Sequence, residues 1–70
     1  MTIIKTDNVI LNFDNVCQLF IENFDEQSRI YAHTKDGENV LIYANTLTET
    51  SKVLDGIMYC LENNIKIIKI

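Results

Sequence analysis

Glycine, cysteine, arginine and histidine are scarce in this chain, and proline and tryptophan are absent. It has two glycines and two cysteines among 70 residues. Two glycines are too few for a glycine-rich loop that cradles phosphate. The two cysteines, Cys17 and Cys60, are too few for a disulfide framework, and they lack the CxxC spacing of a zinc knuckle. Because the N-terminus shows no signal-peptide pattern, we expect reduced thiols and a cytoplasmic protein.

Basic residues are also few. The formal net charge is −4, whereas a nucleic-acid-binding protein usually carries a basic patch. Arg29 is the only arginine that could recognise a phosphate or a base with two hydrogen bonds. The acidic side chains fall mainly where turns are expected, at Asp7, Asp14, Asp25, Glu26, Asp36 and Glu38. The composition therefore predicts no nucleic-acid partner. No hydrophobic run approaches the ~20 residues of a membrane span, so no membrane partner is expected either.

The chain is short enough to need support beyond its own core. Seventy residues make one domain, residues 1–70, at most. A single core of this size rarely supplies more than ~3–5 kcal/mol, and small scaffolds often gain stability from disulfides, metals or oligomerisation. With no disulfide framework and no metal motif, oligomerisation is the favoured source. We expect a homo-oligomer, most simply a dimer.

Six segments have the composition of strands. They cover about residues 2–5, 9–13, 16–23, 29–34 and 39–44, with a terminal strand at about 65–70. Asp36-Gly37 between two alternating runs is a strong hairpin signal. The isoleucine-rich terminal segment would be an aggregation hazard if it were free. It is therefore expected to pair with a sheet edge, either in its own chain or in a neighbour.

One helix is predicted at about residues 47–62. Thr46 and Glu49 have the spacing of a capping box. Apolar and small residues then recur at helical spacing, at Leu47, Thr50, Leu54, Ile57, Met58 and Leu61, and Asn63-Asn64 suits a left-handed stop. The expected fold is α+β: a mostly antiparallel meander of five or six strands with one C-terminal helix packed on one face.

The predicted strands have two different faces. Side chains alternate between the faces of a strand. Strict alternation puts a small, aliphatic set on one face, namely Cys17, Leu19, Ile21, Ile30, Ala32, Val40, Ile42 and Ala44. It puts an aromatic and polar set on the other, with Phe20, Arg29, Tyr31, His33, Leu41 and Tyr43 as its candidate functional residues. We expect the aliphatic set to form the core under the helix.

The aromatic set needs a partner, and its composition fits three. Aromatic residues around an arginine are typical of interface hot spots, which favours a homodimer interface. Flat rings could instead stack on the base of a nucleotide-like ligand while Arg29 holds phosphate. The third alternative is a docking surface for a host protein.

Catalytic and metal-binding patterns are missing. His33 is the only histidine, and its expected face-mates Tyr31 and Arg29 include no carboxylate for general acid–base catalysis. Cys17 and His33 are predicted on opposite faces, which argues against a zinc site. No catalytic residue, metal ligand or cofactor is predicted, and an enzyme is not expected.

Several segments resemble a set of small proteins of low-GC Gram-positive bacteria and their phages. The matching features are the run from Val9 to Val16, the strand Ile30-Tyr31-Ala32 with the Asp36-Gly37 turn, and Thr46-x-x-Glu49 leading to Val53-Leu54-Asp55-x-Ile57. The resemblance covers about residues 1–61. It departs at Tyr43-Ala44-Asn45, where many of those proteins have a Gly-Lys-Tyr step, and in the terminal tail. Its motifs are turns, a cap and core positions, so it implies a small sheet followed by a helix and a bacterial or phage origin.

The expected function is therefore non-enzymatic binding by a small cytosolic homo-oligomer. In its most specific form, suggested by the resemblance and the composition, the protein is a phage-encoded inhibitor of a host defence system. It would occlude a host protein or sequester a nucleotide signal in the host cytoplasm. The alternative is a structural or regulatory interaction protein of a bacterial chromosome or mobile element, with no ligand.

Overall fold

The computed structural model describes residues 1–70 as two three-stranded sheets and one α-helix. The strands are β1 (Ile3–Lys5), β2 (Ile10–Asn12), β3 (Val16–Phe24), β4 (Gln27–Thr34), β5 (Asn39–Asn45) and β6 (Ile67–Lys69), and the helix is α1 (Leu47–Glu62). The α+β class with mostly antiparallel pairing and a C-terminal helix is confirmed. The expected single meander of five or six strands is wrong.

The first sheet, here called the terminal sheet, has the strand order β2-β1-β6. β1 pairs antiparallel with β2 and parallel with β6, so Ile4 lies opposite both Leu11 and Ile68. All three side chains are buried. The isoleucine-rich tail thus pairs within its own chain. In a meander each strand pairs antiparallel with the next strand in sequence, so a meander contains no parallel pair. Here β6 follows the helix and pairs parallel with β1, the first strand.

The second sheet, here called the central sheet, is an antiparallel meander with the order β3-β4-β5. Asp25, with φ of 39°, allows a tight turn in which Phe24 pairs with Gln27. Both strands are therefore longer than the predicted 16–23 and 29–34, and only residues 25 and 26 connect them. At the second hairpin Gly37 has φ of 86°, which a residue without Cβ adopts at little cost.

A single turn of 3-10 helix, Phe13–Asn15, separates the two sheets. The Asn12 side chain accepts a hydrogen bond from the Asp14 backbone amide at 3.0 Å and so caps this turn. In a single meander β2 and β3, which follow one another in sequence, would pair in the same sheet. Instead β2 and β3 belong to different sheets. The Asn15 carbonyl accepts from the Lys35 amide at the far end of the central sheet.

α1 is capped at both ends by asparagine and threonine side chains. Thr46 Oγ1 accepts from the Glu49 amide at 3.3 Å, and Asn45 Oδ1 accepts from the Thr46 amide at 2.8 Å. Asn45 thus replaces Glu49 in the second half of the predicted capping box. At the C-terminus Asn64, with φ of 56°, ends the helix, and the Ile65 amide donates back to the Cys60 carbonyl.

One core joins both sheets and the helix. Its buried apolar side chains are Ile4, Leu11, Ile30, Ala32, Ile42, Ile57 and Ile68. α1 packs on β4 and β5, and the Thr50 hydroxyl, buried in this contact, donates to the Ser28 carbonyl at 3.3 Å. Leu47 and Met58 were predicted in the packed stripe of the helix but are about half exposed. Val53 and Cys60 pack against the core in addition to Leu54 and Leu61.

Neither helical segment combines the length and the apolar content that crossing a membrane would require.

Candidate functional site on the central sheet

β4 divides its side chains cleanly between two faces. The face that packs against α1 carries the buried side chains of β4, which are Ser28, Ile30, Ala32 and Thr34. Arg29, Tyr31 and His33 alternate with them and are half-buried on the opposite side. We call this opposite side, which does not carry the core, the outer face of the central sheet. It is the candidate functional site.

Strand pairing extends the outer face across β3 and β5. Directly opposed residues of antiparallel strands project from the same face. Tyr31 lies opposite Phe20 on β3 and opposite Leu41 on β5. His33 and Arg29 flank this row on β4. Five of the six predicted site residues therefore share one surface: Phe20, Arg29, Tyr31, His33 and Leu41.

Tyr43, the sixth predicted residue, lies on the core side. The register of β5 shifts by one residue between Tyr43, which faces Ile30, and Leu41, which faces Tyr31. Ile42 is the extra residue of this bulge and is buried. Because a one-residue shift moves the following side chains to the other face, Tyr43 packs against the core and Ala44 lies opposite Arg29 on the outer face. The predicted placement of Tyr43 on the aromatic face is wrong.

A second bulge changes the start of β3. Val16 faces Thr34 and Gln18 faces His33, so Cys17 is the extra residue. Cys17 is exposed, although strict alternation had placed it in the core. Val16 instead packs against the core. These two bulges account for the errors in the predicted division of the strands into an aliphatic and an aromatic face.

The side chains of the outer face hold one another in place. The rings of Phe20 and Tyr31 stack with their centroids 5.5 Å apart and an angle of 23° between planes. The Arg29 guanidinium lies over the Phe24 ring at 4.6 Å from its centroid. Its Nε and Nη2 both donate to Gln27 Oε1 at 3.3 Å. The arginine is thereby held over the sheet by Phe24 and Gln27, which are themselves directly opposed.

Phe24 is a residue of the outer face that sequence reasoning missed. The predicted strand ends at about residue 23, but the tight turn at Asp25 extends β3 to include Phe24. It remains 41% exposed beneath the arginine. The signal was present in the spacing, because Phe20, Glu22 and Phe24 continue the alternation that defines this face.

The outer face has no concave pocket at its centre. Four cavities indent the protein surface, and none is lined by Phe20, Phe24, Arg29, Tyr31 or His33. The largest, of about 410 Å³, lies at the edge of β5 and includes Leu41 and Ile70. Small-molecule sites are usually clefts or cavities, whereas protein-binding surfaces are commonly flat. The rings of the outer face therefore form an open surface that lines no cavity.

The outer face carries the single histidine of the chain. His33 Nδ1 lies 2.7 Å from Asn39 Oδ1, an amide oxygen rather than a carboxylate. No group of three or more His, Cys, Asp and Glu side chains is placed to hold a metal ion. The two cysteines are free thiols, with Cys17 exposed on β3 and Cys60 half-buried in α1.

No protein-family model matches the chain, and neither a curated protein nor a solved structure is significantly similar to it.

Proposed function

We propose that this chain is a non-enzymatic binding protein that docks a protein partner through the outer face of its central sheet. The observation that carries the proposal is the arrangement of Arg29, Tyr31, Phe20 and Phe24. They form a stacked, pre-ordered aromatic and cationic surface that the helix and the core do not use.

Pre-ordering makes this surface suited to binding. A free arginine side chain loses about 2 kcal/mol of rotamer entropy when it is immobilised. Arg29 is already held over Phe24 and beside Gln27, so less of this cost remains when a partner binds. Arginine and aromatic residues also supply most interface hot spots.

Two specific forms of the proposal differ in their partner. A phage-encoded inhibitor would occlude a host protein with this face, and a regulatory protein of a bacterial chromosome or mobile element would bind a partner of its own cell. Sequestration of a nucleotide signal is the less favoured form, because the rings line no cavity that could enclose a ligand.

A matched pair of double variants tests the proposal. Arg29→Ala with Tyr31→Ala removes a cation and a ring from the outer face. Lys52→Ala with Tyr59→Ala likewise removes one cation and one ring, here from the exposed side of α1, where Tyr59 is 65% exposed. Tagged wild-type protein and both variants would be used to isolate partners from a bacterial lysate, with identification by mass spectrometry.

We expect the helix variant to retain any partner that the wild-type protein binds. The outer-face variant should lose that partner, because loss of a hot spot costs at least ~2 kcal/mol of binding. Its thermal midpoint should stay within a few degrees of that of the helix variant. Retention of the same partner by the outer-face variant would contradict the proposal. Added nucleotides could instead raise the thermal midpoint of the wild-type protein and of the helix variant but not that of the outer-face variant. That result would favour the sequestration form.

A further inference from the structure

β3 is a long strand with one unpaired edge. It has nine residues, Val16–Phe24, and pairs only with β4. Native proteins usually protect such edges with lysine, proline or a bulge in the middle of the strand. β3 contains neither lysine nor proline, and its bulge at Cys17 lies near its start. Its single charged residue is Glu22, so residues 18–24 present a regular and nearly uncharged edge.

The other strand edges are less suited to pairing. β2 and β6, at the edges of the terminal sheet, have three residues each. The outer edge of β5 is interrupted by the bulge at Ile42 and lies beside the turn at residues 6–9 and the C-terminal Ile70, which line the same cavity. β3 is therefore the one edge that is both long and regular.

We propose that β3 pairs antiparallel with β3 of a second copy of this chain, with Phe20 opposite the partner's Phe20. A two-fold axis makes the contact self-complementary, so the sequence of β3 must match its own reverse. In this register Leu19 faces the partner's Ile21 on the core side. On the outer face Gln18 faces the partner's Glu22. Across residues 18–22, apolar residues therefore meet apolar ones, polar residues meet polar ones, and no two like charges are opposed; beyond them the bulge at Cys17 interrupts the regular edge.

Neighbouring registers lack this match. Centring the pairing on Ile21 puts Phe20 opposite the partner's Glu22. Centring it on Leu19 puts Gln18 opposite the partner's Phe20. Each brings aromatic rings against polar side chains in directly opposed positions. The side-chain pattern of β3 therefore selects one register as well as one edge.

The dimer would join the two central sheets into one sheet of six strands and place their outer faces side by side. The two stacks of Phe20 on Tyr31 would then meet at the two-fold axis, so the partner copy supplies half of a continuous aromatic surface. This inference extends the proposed function by giving its binding surface a dimeric form, but the pairing itself does not depend on any third partner.

Cysteine cross-linking tests both the edge and the register. In a Cys17→Ser background, Gln18→Cys with Glu22→Cys places each introduced thiol opposite its counterpart across the axis. Opposed Cα atoms in antiparallel strands lie about 4.5–5.5 Å apart, within the ~4.4–6.8 Å that a disulfide spans. Gln18 and Glu22 are both exposed, so the changes leave the core intact.

Each single variant is the matched control. Gln18→Cys alone leaves the two introduced thiols four residues apart along the strands, about 13 Å, which is too far for a disulfide. Under mild oxidation we expect at least about tenfold more disulfide-linked dimer from the double variant than from either single variant. Equal cross-linking in the double and single variants would overturn the proposed register.

Light scattering supplies an independent readout. Phe20→Lys opposes two ammonium groups at the axis and should convert the dimer to a monomer, since like charges directly opposed destabilise a strand pair. Tyr31→Lys, on the central strand, should leave the dimer intact. A wild-type protein that stays monomeric at ~100 µM, far above the ~1 µM dissociation constants of moderate complexes, would overturn the dimer. Partner loss in the Arg29 and Tyr31 double variant would still support the proposed function.

Discussion

Ile57→Ala should remove most of the stability of this domain. Ile57 lies in the middle of α1, is 1% exposed and packs in the core that both sheets share. The change deletes three carbon atoms, and at about 0.8 kcal/mol for each buried methylene the lost transfer free energy is about 2.4 kcal/mol. The cavity left behind raises the loss to about 3–4 kcal/mol.

That loss is close to the ~3–5 kcal/mol that a core of this size supplies. Because the alanine variant could be largely unfolded, Ile57→Val provides a measurable intermediate. It deletes one methylene and should lower the free energy of unfolding by about 1 kcal/mol. With an m-value of about 1 kcal/mol per molar urea, the unfolding midpoint should fall by about 1 M.

Met58→Ala is the control for both variants. Met58 is the next residue of the same helix and is 48% exposed, so its truncation should cost less than about 1 kcal/mol. Urea unfolding followed by far-UV circular dichroism measures all three variants. If the two Ile57 variants lost as little free energy of unfolding as Met58→Ala, α1 would not cover the core.

Three further changes test the turns and the helix. Gly56→Ala should raise the free energy of unfolding by about 1 kcal/mol, because a Cβ there meets no atom within 4 Å and alanine favours the helix; a lower urea midpoint would mean that another chain approaches this position. Gly37→Ala should lower the free energy of unfolding by about 1–2 kcal/mol, since φ of 86° strains a residue with a Cβ; an unchanged midpoint would refute the turn geometry. Thr46→Ala should cost about 1 kcal/mol through the lost cap, and no change in the midpoint would show that Asn45 caps α1 alone.

The parts of the fold that follow from local signals could be predicted from the sequence. Thr46, Asn63 and Asn64 mark the ends of α1, and Asp36-Gly37 marks the second hairpin. Each depends on a few neighbouring residues whose backbone preferences are strong. Strand pairing is different, because it depends on contacts between segments far apart in sequence. Nothing in residues 65–70 alone distinguishes pairing with β1 from pairing with a neighbouring chain.

The candidate site could be predicted only as far as regular alternation holds. β4 has no bulge, and its three predicted residues Arg29, Tyr31 and His33 all lie on the outer face. β3 and β5 each contain one extra residue, Cys17 and Ile42. Neither is a glycine or an asparagine, the residue types that would signal a bulge in the sequence.

The bulge at Ile42 has a physical reason that appears only in the folded chain. Regular alternation through β5 would turn Tyr43 toward the outer face and leave the cleft beside Val53 and Ile57 without a large side chain. With the bulge, Ile42 is buried and Tyr43 also packs on the core side, where it lines that cleft. Tyr43 is partly buried there, and the apolar surface that it and Ile42 remove from water offsets the loss of one strand hydrogen bond, which contributes about 0.5–1.5 kcal/mol net. The same shift leaves Asn39, Leu41 and Ala44, all smaller than tyrosine, as the contribution of β5 to the outer face. The rings of that face therefore come from β3 and β4 alone, on the side of the sheet that ends at the open edge of β3.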